Sequence, residues 1–149
     1  MLAVKRRAVN ESGAALVEFA IVASLFFLLV FGIIEFGLMI KDYLALCQGV
    51  REGARAACLG NSISTVVNTV QQSVPALDVS NLSNINVYYR KREGGAWPST
   101  WISGLPDSVA AGEEVQVKVS ARYAHELVTG SLFGSGPVML HSEMVWRRE

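Results

Sequence analysis

Residues 19–34 read FAIVASLFFLLVFGII, sixteen in a row with no charged side chain and no proline, bracketed by Glu18 and Glu35. Widened outward, residues 14–40 carry no charge other than those two glutamates. At about 1.5 Å of rise per helical residue this segment is roughly 40 Å long, more than a hydrocarbon core of about 30 Å requires. The bland alternative is a buried helix of a soluble protein. Burying Phe, Leu and Ile on every side of it would need a core that the remaining ~109 residues hardly supply. The segment reads as a transmembrane helix.

The rest of the composition narrows the function classes. The chain has 149 residues, 51% hydrophobic and only 17% charged, too apolar for a disordered protein. Its 13 basic and 13 acidic residues cancel, which argues against a general electrostatic grip on nucleic acid. Two cysteines and two histidines are too few for a zinc cluster or a disulfide scaffold. There is no P-loop, dinucleotide fingerprint or nucleophile elbow. His125, next to Glu126, and His141 lack metal-ligand spacing and read as ordinary surface or strand positions. A non-enzyme with no metal and no cofactor is expected.

Orientation follows from charge. The leader MLAVKRRAVNESG, residues 1–13, holds Lys5, Arg6 and Arg7 against Glu11, whereas Lys41 and Asp42 beyond the span cancel. The basic excess places the N-terminus in the cytoplasm and the C-terminal part outside it. A cleaved secretory signal fits poorly, because the apolar run is long and leads into Glu35-Phe36-Gly37-Leu38-Met39 without a small-x-small site. Glu18 stands near the cytoplasmic start of the span. A carboxylate at the bilayer centre costs on the order of 3 kcal/mol, and less near the interface. Taken alone, Glu18 is equally well an interfacial acid reaching water or a functional group.

Its neighbours decide. Ser12-Gly13-Ala14-Ala15-Leu16-Val17-Glu18-Phe19 resembles the prepilin signal of type IV pilins, a short basic leader ending in glycine before a hydrophobic helix with an early glutamate. The resemblance implies cleavage by a prepilin peptidase between Gly13 and Ala14, with Glu18 and Phe19 setting the register of assembly. The new α-amino cation at Ala14 would lie one helical turn from Glu18, so the two charges can compensate each other. Removing residues 1–13 leaves 10 basic against 12 acidic side chains, a net of −2. Three pieces in order narrow the resemblance to TadE-like proteins, minor pseudopilins of the Tad (Flp, type IVb) pilus. They are Gly13 to Phe19, then Gly32-Ile33-Ile34-Glu35-Phe36-Gly37, then Arg51-Glu52-Gly53-Ala54-Arg55. Membership implies a non-catalytic inner-membrane protein that assists pilus assembly by lateral helix packing. Implied partners are a second, TadF-like pseudopilin, the Flp pilin, the inner-membrane platform and the prepilin peptidase. A minor pseudopilin of another type IV filament or secretion system, or a membrane-tethered periplasmic enzyme or sensor, are the rival readings.

Beyond the span, residues 41–60 continue as a periplasmic helical extension that stops at Gly60-Asn61. Ala45, Gly49, Gly53 and Ala57 recur every fourth residue. Two helical glycines cost about 1 kcal/mol each relative to alanine, which a close backbone approach can offset. The stripe serves either a partner helix or the chain's own C-terminal sheet. Cys47 and Cys58 lie about three turns apart, roughly 16 Å, so no disulfide joins them within an unbroken helix. They are free, paired between chains, or brought together by a helix break near Gly49–Gly53.

Residues 61–149 read as an α+β unit. Val66, Val67, Val70 and Val74 have helical spacing up to Pro75. Ile85, Val87 and Tyr89 alternate with polar residues, as do Val115, Val117, Val119, Ala121 and Tyr123. Val138, Leu140, Met144 and Trp146 share one face of a last segment. The expectation is a pilin-like fold: a long membrane helix, a short second helix and an antiparallel sheet of about three strands. Residues 94–112 read as a long loop holding Trp97 and Trp101, either offered to a partner or tucked under the sheet edge.

Overall fold

A computed structural model describes residues 11–106, 113–130, 134 and 136–148. The basic leader up to residue 10 and Gly112 of the long loop lie outside the described residues. The first element, α1, runs Glu11–Cys58 as one helix of 48 residues. Two compact units divide the chain between Phe36 and Gly37.

The first unit is helix alone over its described part. The side chains of Phe19, Ile21, Leu25, Phe26, Leu28, Phe31 and Ile33 are all exposed. None of the most apolar stretch of α1 is buried inside the protein, and the helix is long and apolar enough to cross a membrane. Exposure of large apolar groups all round a helix is disfavoured in water and satisfied in lipid.

The second unit is α+β. Gly60, at φ +81°, ends α1: the amide nitrogens of Gly60 and Asn61 donate to Ala57 and Ala56, and the Asn61 side chain also donates to Ala56. Ser62 then caps α2, Ile63–Gln72, by accepting from the Thr65 amide. The helix turns Val66 and Val70 inward, and Val74 beyond it is also buried. A single 3-10 turn, Val79–Asn81, leads into the sheet. Its strands are β1 (Leu82–Lys91), β2 (Ile102–Ser103), β3 (Val115–His125) and β4 (Val138–Arg148), in the order β2-β1-β3-β4 with every neighbouring pair antiparallel.

The sheet therefore has four strands rather than about three. The additional one, β2, pairs only Tyr88 with Ser103 and Tyr89 with Ile102, and two residues are too few to show an alternation. The three longer strands and the second helix stand where the period-two and helical patterns placed them. Val115, Val117, Val119, Ala121 and Tyr123 are all buried, joined in the core by Leu46, Val50, Ala54 and Ala57 of α1, the α2 valines, Val87 and Leu140.

Candidate functional site

Gly13 and Ala14 lie in the first turns of α1, and Glu18 and Phe19 are exposed on it. Glu35 is half-exposed near the end of the first unit.

The small-residue stripe is filled from within the chain. A Cβ placed on Gly49 would stand 2.4 Å from Val74 Cγ1 and 3.1 Å from the Val70 carbonyl oxygen. One on Gly53 would meet Val70 Cγ2 at 2.4 Å and Val119 Cγ1 at 3.6 Å. Ala57 is buried and Ala45 packs against the core. The close approach that the two glycines permit is mainly to α2, and only secondarily to the sheet. The Arg-Glu-Gly-Ala-Arg motif divides accordingly. Gly53 and Ala54 point inward, while Arg51 and Arg55 are exposed one turn apart on the outer side, with Arg55 3.9 Å from Glu52.

Asp42 and His125 form a contact the sequence did not reveal. Asp42 is the first buried charged residue after the apolar span, and His125 closes β3. The histidine is 4% exposed, and its Nδ1–H donates to Asp42 Oδ2 at 2.8 Å. An ionised carboxylate only accepts, so in this bond the ring is the donor. His125 is therefore a strand position, as expected, but a buried one paired with a carboxylate rather than a surface one. Asp42 does more than balance Lys41, whose Nζ lies 3.4 Å from its other oxygen. The pair ties α1 to the end of β3 across 83 residues of sequence.

Cys47 and Cys58 are both free and half-buried on an unbroken helix, so the helix-break alternative is removed. The Ser142 hydroxyl on β4 donates to Cys47 Sγ at 3.3 Å.

Trp97 and Trp101 neither stand free nor slip under the sheet edge. They lie over the face of the sheet opposite the core. Arg90 stacks on both, 4.5 Å from the Trp101 ring centre and 5.7 Å from that of Trp97. Lys118 sits between Trp101 and Tyr88. Arg90 also donates to Gln116 Oε1 and to the Pro98 carbonyl, both at 2.8 Å, pinning the loop to β1 and β3. Beside this cluster Glu114 accepts from Arg92 at 2.6 Å and pairs with Arg147.

The Arg92 hydrogen bond holds the Glu114 carboxyl below the ordinary glutamate value, reinforced by both guanidinium charges and partly opposed by desolvation. Since the folded value is the lower one, the stabilisation is complete above the ordinary glutamate range and is lost as pH falls through the folded value. Glu114→Gln should therefore lower the melting temperature at neutral pH, with the gap to the native protein closing only in acid below that range. Parallel melting curves from neutral to strongly acidic pH check this.

Among the described residues no group of three or more His, Cys, Asp or Glu is placed to hold a metal ion. No curated protein and no solved structure matches the chain. A family model does match: that of the TadE-like proteins, over residues 13–55. The matched stretch begins at Gly13, contains Glu18, Glu35 and the buried Gly49, and ends on Arg55, leaving the sheet outside it. Over α1 the chain thus carries a TadE-like segment, consistent with a TadE-like protein of the Tad pilus system.

Proposed function

We propose that this protein is a minor pseudopilin of a Tad/Flp type IVb pilus, non-catalytic and anchored in the inner membrane by residues 14–40. The N-terminus faces the cytoplasm and the α+β unit faces the periplasm. A prepilin peptidase cuts between Gly13 and Ala14. The observation that carries this reading is an apolar helix, exposed on all sides and bearing Glu18 near its start, inside the TadE-like match. Such a surface gains from lateral contact with other helices in lipid, where a buried acid must find a cationic partner. The α-amino group freed at Ala14 is that cation, so Glu18 sets the axial register of a neighbouring subunit.

Because α2 fills Gly49 and Gly53, contact with a partner helix falls to the membrane span and to the outward side of α1 bearing Leu44, Gln48, Arg51 and Arg55. The partners are a TadF-like pseudopilin, the Flp pilin and the membrane platform.

Intact mass measurement on protein extracted from membranes tests the reading, with an N-terminus at Ala14 expected. Glu18→Ala should still insert and be processed while piliation falls to background. A retained leader in cells with active peptidase, or full piliation by the variant, would overturn it.

A further inference from the structure

The apolar stretch of α1 ends inside the C-terminal unit. Gly37–Ile40 close that stretch, yet they belong to the unit, which begins at Gly37. Met39 packs against its core, and Asp42, two residues or about 3 Å past Ile40, holds His125. α1 then continues to Cys58 without a break, so no linker lets the sheet stand away from this point.

The sheet is aligned with the helix. Asp42 lies beside His125, Cys47 beside Ser142, and Gly60 beside the Arg148 guanidinium. His125 is paired with Val138, so these three contacts climb β4 from its first residue to its last. The end of β3 and the start of β4 therefore stand level with Asp42. Apolar side chains are open there: Val128, just past β3, is 63% exposed, and Val138 and Met139, on opposite faces of β4, are 37% and 53% exposed. Ile40 and Val79 are exposed at the same end, where the 3-10 turn packs on β3 and the Asn81 side chain donates to Glu126 at 3.5 Å. From Leu127 to Leu140 the sequence has no charged residue, whereas a connection facing water is ordinarily polar.

We propose that this end of the C-terminal unit docks on the periplasmic surface of the same membrane, with Val128, Val138 and Met139 in the headgroup layer beside the emerging helix. The inference rests on the anchored reading above, in which Met39 to Asp42 mark the depth where α1 leaves the hydrocarbon. Lipid is the occupant because the helix itself holds it at a fixed, short distance, whereas a protein partner would have to be recruited. Exposed valine and methionine side chains gain by entering the interface. Lys41, Asp78 and Glu126, exposed at the same end, carry both signs and suit a zwitterionic headgroup layer better than a strictly anionic one. A single helix leaves the unit free to tilt and turn, and a lipid contact to one side of it restrains both.

The test uses the full-length protein in its native membrane, carrying p-benzoyl-phenylalanine at one position at a time. Intact mass after illumination identifies what has become attached. Probes at Val128 and Met139 should each gain the mass of a phospholipid, as should a probe at Phe31 in the span. Leu59 is 73% exposed but about 25 Å farther along α1 than Asp42, and a probe there should gain none. Val128→Glu with Met139→Glu should cut the phospholipid product of a probe at Val138 about tenfold while the melting profile is unchanged. No phospholipid at Val128 and Met139, a protein attached in its place, or an equal product at Leu59 would each overturn the inference. The Phe31 probe separates the two readings. Phospholipid at Phe31 without any at Val128 and Met139 refutes docking alone, and none at Phe31 refutes the anchored reading.

Discussion

His125→Ala is expected to destabilise the C-terminal unit by about 3–5 kcal/mol, because it leaves the Asp42 carboxylate without its principal donor in a largely buried site. Against a typical total of about 5–15 kcal/mol, that is enough to unfold a sizeable fraction of the protein. Asp42→Ala should cost a similar amount, since it strands the imidazole N–H instead. Asp42→Asn keeps an acceptor oxygen for Nδ1–H and should lose less, about 1–2 kcal/mol. The double replacement of Asp42 and His125 by alanine should fall well short of the sum of the single changes, since each removes the same contact. Urea unfolding followed by the fluorescence of Trp97, Trp101 and Trp146 reports all four variants. A loss below about 1 kcal/mol for His125→Ala, the range of an ordinary surface change, would contradict the buried pair.

That pair also marks where reading the sequence stops. The alternation in Val115 to Tyr123 predicts a strand with one buried face, because strand geometry is local and repeats every two residues. Gly60-Asn61 likewise announces the end of the first helix through local capping chemistry. The union of Asp42 with His125 has no local signature. An acid following a lysine looks balanced by it, and a lone histidine at a strand end looks solvated.

The stripe Ala45, Gly49, Gly53, Ala57 falls between these cases. Its spacing declares that a backbone comes close, but not which one, and α2 supplies it through Val70, with Val74 just beyond the helix. Trp97 and Trp101 were equally open. Arg90, on the strand face opposite the core, holds both rings through stacking and a bond to Pro98, a pairing that sequence separation conceals. For the N-terminal region more was legible, since crossing a bilayer demands length and apolarity that are properties of the segment itself.

The two helical glycines permit a sharper test, because alanine at each has two opposing effects. Relative to glycine, alanine favours the helix by about 1 kcal/mol. The added methyl group also needs room that α2 occupies, and overpacking a dense core costs about 1–3 kcal/mol. At Gly53 the obstacles are side-chain atoms of Val70, Val119 and Val66, all buried and β-branched, so they turn aside poorly and the cost exceeds the gain. At Gly49 the Val70 carbonyl oxygen stands 3.1 Å away in addition to Val74 Cγ1, and the backbone of a capped helix does not rotate aside. Gly53→Ala should therefore be a net loss of about 1 kcal/mol and Gly49→Ala a larger one of about 2 kcal/mol. Gly49→Val adds two further methyl groups and β-branching, and should cost about 3 kcal/mol by displacing α2. Gly32→Ala, with nothing within 4 Å in the chain, should leave this unit's stability unchanged. Urea midpoints rank the four variants, and equal losses at Gly49 and Gly53 would show that α2 shifts as a rigid body rather than being held by its carbonyl contact.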